Sequence, residues 1–230
     1  MTNKDIYRIR AGLLCLVASG VLSVIGLTLR GPIIDQAIAP AAFSQSAVAA
    51  SFGVAWCFLL PSLCIQCFGW LALYAALKDT AHDSLAFWAM VTSISGNLLF
   101  LPFAGVIAFV TPEVGRQWLA GSHQAIEIAN AGLAGPLALP FLILSAVLLL
   151  AGSVLVGILV WRAPGYPRWT AVPYIYHALA LTFLAPLSYP AEYAGGLMLL
   201  LTSVAIARAA WIAVAAQTAG KAVSQHSVMT

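Results

Sequence analysis

Long apolar runs, separated by short clusters of charge, proline and glycine, leave this chain few folds to choose from. One of them organises the rest: Trp169 to Tyr189, WTAVPYIYHALALTFLAPLSY, about the length a helix needs to cross a bilayer. Arg162 and Arg168 flank its start, Pro190 and Glu192 follow its end, and it is the span that carries a histidine, His177. Only 7% of the chain is charged and 62% is apolar, whereas roughly one residue in four is charged in a soluble globular domain. Such a chain cannot hide its apolar side chains from water by turning polar ones outward. The bilayer is its solvent, and each backbone group must then find its partner within a helix.

The chain in order gives six spans. MTNKDIYRIR sets Lys4, Arg8 and Arg10 ahead of the run Ala11 to Leu29. That run is too long for the core of a signal peptide, and the nearby Ala-x-Ala, Ala37 to Ala39, is followed by Pro40, so a retained first helix is expected. Its Ser19 and Ser23 have the four-residue spacing that lets two helices approach closely. Arg30 to Ala47, with Gly31-Pro32, Asp35 and Pro40, reads as a polar connection. The second span, Ala49 to Leu77, holds Pro61, where a kink is expected, and Cys64-Ile-Gln-Cys67. Lys78, Asp79, His82 and Asp83 form a charged hairpin into the third, Leu85 to Val110.

Thr111 to Gly135 mixes Glu113, Arg116, Trp118, His123, Glu127 and Asn130 with apolar residues at helical intervals, which predicts a short interfacial helix from Ser122 as N-cap to Gly132. Pro136 to Trp161 is the fourth span, Arg162 to Arg168 a Pro/Gly hairpin, Trp169 to Tyr189 the fifth, and Pro190 or Glu192 to at least Ala207 the sixth. The expected fold is all-α: a polytopic membrane protein with six transmembrane helices and a short interfacial helix between spans three and four. It occupies residues 1–217, followed by a disordered tail over 218–230.

Charge bias orients this frame. Lys4, Arg8, Arg10, Lys78, Arg162, Arg168, Arg208 and Lys221 fall on one side and only Arg30 and Arg116 on the other, so both termini are expected in the cytoplasm and the protein in the inner (plasma) membrane. Trp70, Trp88, Trp161, Trp169 and Trp211 are read near the inner boundary, Trp56 and Trp118 near the outer. The basic residues are scattered at span ends rather than gathered in a patch, which speaks against a nucleic-acid partner. Cys15, Cys57, Cys64 and Cys67 lie in apolar runs and do not read as a disulfide framework.

Three features resemble a family of uncharacterised bacterial six-helix membrane proteins catalogued as a domain of unknown function. They are Arg10-Ala-Gly-Leu-Leu opening span one, Leu73-Tyr74 closing span two ahead of Lys78, and Pro167-Arg168-Trp169 entering span five. The resemblance is one of pattern across most of the chain. It implies six helices and assigns no activity.

Several groupings can carry chemistry. Gln66, Asn97 and His177 fall near the centres of three spans, where polar groups are costly and point into the bundle. Ser62, Ser93 and Tyr174 share a helical face with them, at spacings of four, four and three. This layer has two readings: a polar pocket with His177 as the catalytic candidate and Gln66, Asn97 and Tyr174 contacting substrate, or hydrogen-bond glue between helices. No acid in the spans is placed to partner His177, which argues against a proton relay. His123 and Glu127, four apart with Asn130 beyond, form a second grouping that reads either as half of a metal or proton-transfer site or as the solvated face of the interfacial helix. Spacing dictates no third ligand, so neither a metal nor a cofactor is expected. Arg208 marks either an anionic ligand or a side chain snorkelling to the headgroups. Cys64-x-x-Cys67 lies mid-span, away from the helix N-terminus a redox pair needs, and reads as packing.

The function these groupings predict is binding of a membrane lipid or hydrophobic small molecule in a mid-membrane pocket. Were the ligand also transformed, His177 as acid or base with Gln66 and Asn97 as orienting donors would suit an isomerase or cyclase acting on an isoprenoid-like substrate. The alternative is a non-catalytic subunit docking a partner membrane protein. A transporter is disfavoured by the lack of an internal repeat and of acids within the spans.

Overall fold

In the computed structural model the backbone is described for residues 3–228 and side chains for residues 4–216. The tail expected over 218–230 lies outside the described side chains. Every regular element among the described residues is helical: α1 (Asn3–Arg30), α2 (Pro40–Val48), α3 (Ala50–Leu77), α4 (Asp83–Phe109), α5 (Thr111–Leu119), α6 (Gln124–Ala134), α7 (Ala138–Arg162), α8 (Ala171–Leu179) and α9 (Tyr189–Val228). Five stretches are long and apolar enough to cross a membrane: α1, α3, α4 with α5, α7, and α9 from Tyr189 to Ala216.

The fifth expected span takes a different form. It opens with a 3-10 turn over Arg168–Thr170, continues as the nine-residue α8 and then widens into a π turn over Ala180–Leu184. Its end has a simple cause. Pro186 has no N–H to give the Thr182 carbonyl, so the ladder of hydrogen bonds stops there. The Thr182 hydroxyl also turns back onto the Ala178 carbonyl within this stretch.

Two further departures lie in the connections. The segment between spans one and two, expected as turns, contains α2, which Pro40 starts from the first-turn position where its fixed φ suits a helix. The segment expected to hold one interfacial helix from Ser122 holds two. α5 begins at Thr111 with Pro112 in its first turn, and α6 begins at Gln124 with His123 as N-cap. α2 packs on α5 and α5 on α6, and Phe43, Val114, Trp118, Ala125 and Ile126 form a small apolar cluster between them. Gln36 hydrogen-bonds Asn130 and fastens the first connection to this layer.

The long elements close a ring in the order α1, α3, α4, α7, α8, α9 and back to α1. Its interior is packed by Leu13, Leu16, Leu73, Val156, Leu159 and Ile206 among others. Lipid tails are as apolar as leucine, so association here needs close contact rather than escape from water. Glycines permit that contact. A Cβ at Gly20 would stand 2.7 Å from the Cα of Leu200 on α9, and one at Gly69 would stand 2.9 Å from the Cα of Leu16 on α1. Ser19 and Ser23 do lie at the α1–α3 contact: the Ser62 hydroxyl is 2.7 Å from that of Ser23 and donates to the Ser19 carbonyl at 2.9 Å. Replacing Gly20 with alanine must push α1 off α9 and is expected to cost about 1–3 kcal/mol. Gly53→Ala, where nothing lies within 4 Å, should cost nothing. Thermal unfolding of the two variants in detergent checks this difference.

Candidate functional site

The ring brings the central polar candidates onto its walls, each in a different state of satisfaction. Tyr174 on α8 is fully buried and its hydroxyl accepts a 2.9 Å hydrogen bond from the indole N–H of Trp70 on α3. His177 follows one helical turn later, buried, with its ring edge-on to that of Tyr174 at 4.5 Å between centroids and 68° between planes. Its Nδ1 is buried, and the one polar partner of the ring among the described residues is the Tyr174 carbonyl one turn back in its own helix. The close approach that buries it comes from α9, where a Cβ on Gly195 would lie 3.4 Å from the His177 carbonyl.

Asn97 on α4 donates through Nδ2 to the Leu63 carbonyl of α3 at 2.6 Å and to Cys67 Sγ at 3.5 Å. Its Oδ1 is buried and unpartnered. The donated bond is the interhelical glue foreseen as one reading, while the free oxygen is not accounted for by it. Gln66 is buried on α3. On a helix turning 100° per residue it falls between Ser62 and Gly69, which face α1, and Leu63 and Cys67, which face Asn97. That places it on the wall facing the interior, one turn from Trp70. No hydrogen bond joins Gln66, Asn97 and His177 to one another among the described residues; the structure instead joins Tyr174 with His177 and Trp70, and Asn97 with Leu63 and Cys67.

Unpaired buried polar atoms recur around the ring. Ser93 Oγ on α4, Ser145 Oγ on α7 and Ser203 Oγ on α9 lack partners, as does Asn97 Oδ1. Buried polar groups are nearly always paired, so several exceptions in one bundle are unusual. Two grooves lie elsewhere, along the outer face of α1, and none of the four candidate residues lines them.

Sequence reasoning missed two participants. Trp70, read as an interfacial tryptophan, is buried and holds Tyr174. Glu192, placed at a span end, is buried within α9 and paired with Arg30 at the end of α1, so a carboxylate does lie inside the bundle. Around that pair the Tyr189 hydroxyl donates to the Leu27 carbonyl at 3.2 Å and the Tyr176 hydroxyl to the Ala191 carbonyl at 3.4 Å. A signal existed: Arg30 and Glu192 are lone charges at the ends of two apolar runs whose antiparallel packing sets those ends side by side.

The outer-layer candidates remain apart from this site. His123 packs its ring edge-on to Trp118 at 4.9 Å, and Glu127 is exposed. Among the described residues no cluster of three or more His, Cys, Asp or Glu could hold a metal ion. All four cysteines are free. No protein-family model, curated protein or solved structure matches this chain.

The Trp70–Tyr174 bond spans the ring, so Trp70→Phe leaves a buried hydroxyl unpaired and is expected to cost about 1–3 kcal/mol. Trp70→Phe combined with Tyr174→Phe removes both partners and should cost less than the sum of the single changes. A double-mutant cycle on thermal unfolding in detergent measures the coupling.

Proposed function

We propose that this chain is a six-span inner-membrane protein, with α8 and its π turn as the fifth span and both termini cytoplasmic, whose interior holds a hydrophobic small molecule or lipid beside Gln66, Asn97, Tyr174 and His177. The observation that carries this reading is the buried, unpartnered Asn97 Oδ1 together with buried His177, whose one polar contact among the described residues is a carbonyl of its own helix, both in the wall of an otherwise apolar ring. A ligand with a small polar head and an apolar body satisfies such atoms without bringing in bulk water. The π turn directly after His177 adds weight, because such turns gather at functional sites. It also leaves α8 the shortest and most irregular wall, the one whose displacement opens the interior at least cost.

Within this reading the imidazole is the group able to give or take a proton at the ligand, with Gln66 and Asn97 orienting it. Proton shuttling of that kind suits isomerisation or cyclisation of an isoprenoid-like substrate.

Two measurements test the proposal. Six spans put the two ends of the chain on one side, whereas five put them on opposite sides. Reporter fusions at each end should therefore give the same compartment signal. Native mass spectrometry of protein extracted in mild detergent should find a small-molecule or lipid adduct that is lost in His177→Ala and Asn97→Ala while both variants stay folded. Wild-type protein that carries no such adduct removes the ligand reading. A co-purifying membrane protein in its place makes the chain a docking subunit.

A further inference from the structure

The basic end of α1 carries a second feature, distinct from the interior. The Arg10 guanidinium lies over the ring of Trp211 on α9, 4.7 Å from its centroid. Its Nε is buried and has no hydrogen-bond partner. The ion pairs among the described residues are Arg30 with Glu192 and Arg116 with Glu113, so neither Arg10 nor Arg208 is matched by an acid. From this end a groove of about 340 Å³ runs along the outside of the α1–α9 contact. Leu14 and Val17 form one wall, Val204 and Ile212 the other, and Arg208 and Trp211 stand at its basic end.

Helix geometry sets the depth of these groups. On a straight α1 the distance from Arg10 to Arg30 is about 30 Å, the thickness of the hydrocarbon core. Arg30 is neutralised by Glu192 at the far boundary, which leaves Arg10 at the near boundary, level with the headgroups. α9 runs antiparallel to α1, with Leu200 against Gly20 and Trp211 against Arg10, so Arg208 lies about one helical turn further in. From Trp211 to Val204 the groove follows the helices into the hydrocarbon for about 10 Å. A site of this form has Arg208 at its mouth, Arg10 behind it on the Trp211 ring, and an apolar channel below. Guanidinium forks match phosphate oxygens two at a time, and Arg10 already covers one face of Trp211.

We propose that this groove binds an anionic phospholipid of the leaflet on the basic side, its phosphate engaged by Arg10 and Arg208 and an acyl chain lying against Leu14, Val17 and Val204. Both guanidiniums then gain the counter-charge that the protein does not supply, and net negative lipids are selected over zwitterionic ones. A second groove, of about 430 Å³, lies on the α1–α3 side with Arg8 as its one cation, and it serves as an internal comparison.

Trp211 reports directly on the site. The full chain is reconstituted in phosphatidylcholine vesicles containing graded fractions of phosphatidylglycerol or phosphatidylcholine brominated high on the acyl chain, and tryptophan quenching is recorded. Brominated phosphatidylglycerol should quench at a several-fold lower mole fraction than brominated phosphatidylcholine. Trp211→Phe should remove that preferential component. The preference should fall to parity in Arg10→Gln/Arg208→Gln and survive in Arg8→Gln. Arg208→Gln alone changes only an exposed side chain, leaves the Arg10–Trp211 contact in place and should lower the preference at least two-fold in a folded protein. Equal quenching by the two brominated lipids in the wild type overturns the proposal, as does a preference that persists in the double variant. Abolition of the preference by millimolar inorganic phosphate would assign the cations to a free anion instead of a lipid.

Discussion

Lipid gives an apolar helix no reason to leave it, and the structure depends on how α1 meets that constraint. With no hydrophobic gain available, α1 must be held by dispersion at short range and by a few polar pairs. Its two packed faces supply both. Toward α3 it meets Gly69 and the Ser23–Ser62 hydroxyl pair; toward α9 its own Gly20 lies against the backbone of Leu200. Because α1 joins α3 to α9, the first and last long helices of the chain close the ring that α4, α7 and α8 complete. Loosening this one contact would open the ring at the helix that also carries Arg10.

Polar atoms are paired at several helix contacts: Ser62 with Ser23 and Ser19, Asn97 Nδ2 with Leu63, Trp70 with Tyr174. Others are left without a partner, at Asn97 Oδ1 and the hydroxyls of Ser93, Ser145 and Ser203, and Ser93 is one of them although it lies where α4 meets Gly152 of α7. An unpaired buried atom costs roughly 1–3 kcal/mol, so these four on one ring are a sizeable burden unless something fills them. Tyr174 links the α3 wall to His177, since Trp70 holds its hydroxyl while its ring packs edge-on to the imidazole.

Much of the frame was legible in the chain itself, because a span is a local property: length, hydropathy and flanking charge all sit within one stretch. α1, α3, α4 and α7 fall where apolar runs and their Pro, Gly and charged ends place them. The fifth run was legible as apolar but not as broken: Pro186 is visible in the sequence, whereas the approach of Gly195 on α9 to Ala180 and His177 is set by a distant stretch. Helix α2 was hidden by Pro40, which reads as a turn signal but serves as a first-turn residue, and α5 lies in a stretch read as holding a single helix from Ser122. At the site, helical spacing singled out Gln66, Asn97, Tyr174 and His177, and all four are buried. Which atom pairs with which is set by contacts between distant stretches, and so Trp70 and Glu192 went unrecognised.

Arg10 and Arg30 bound the same helix about one hydrocarbon thickness apart, yet the protein treats them in opposite ways. Arg30 is half of a buried ion pair, with tyrosine hydroxyls on nearby carbonyls, an arrangement that is closed to outside partners. Arg10 is given an aromatic face but no anion, and the groove that begins at the same Trp211 holds a second arginine without an acid. Were both ends merely anchors, the same solution would serve at each. The asymmetry is what a bundle needs if one end of α1 is locked by its own carboxylate and the other by the anionic surface of the membrane, so that correct insertion supplies the counter-charge that completes the fold.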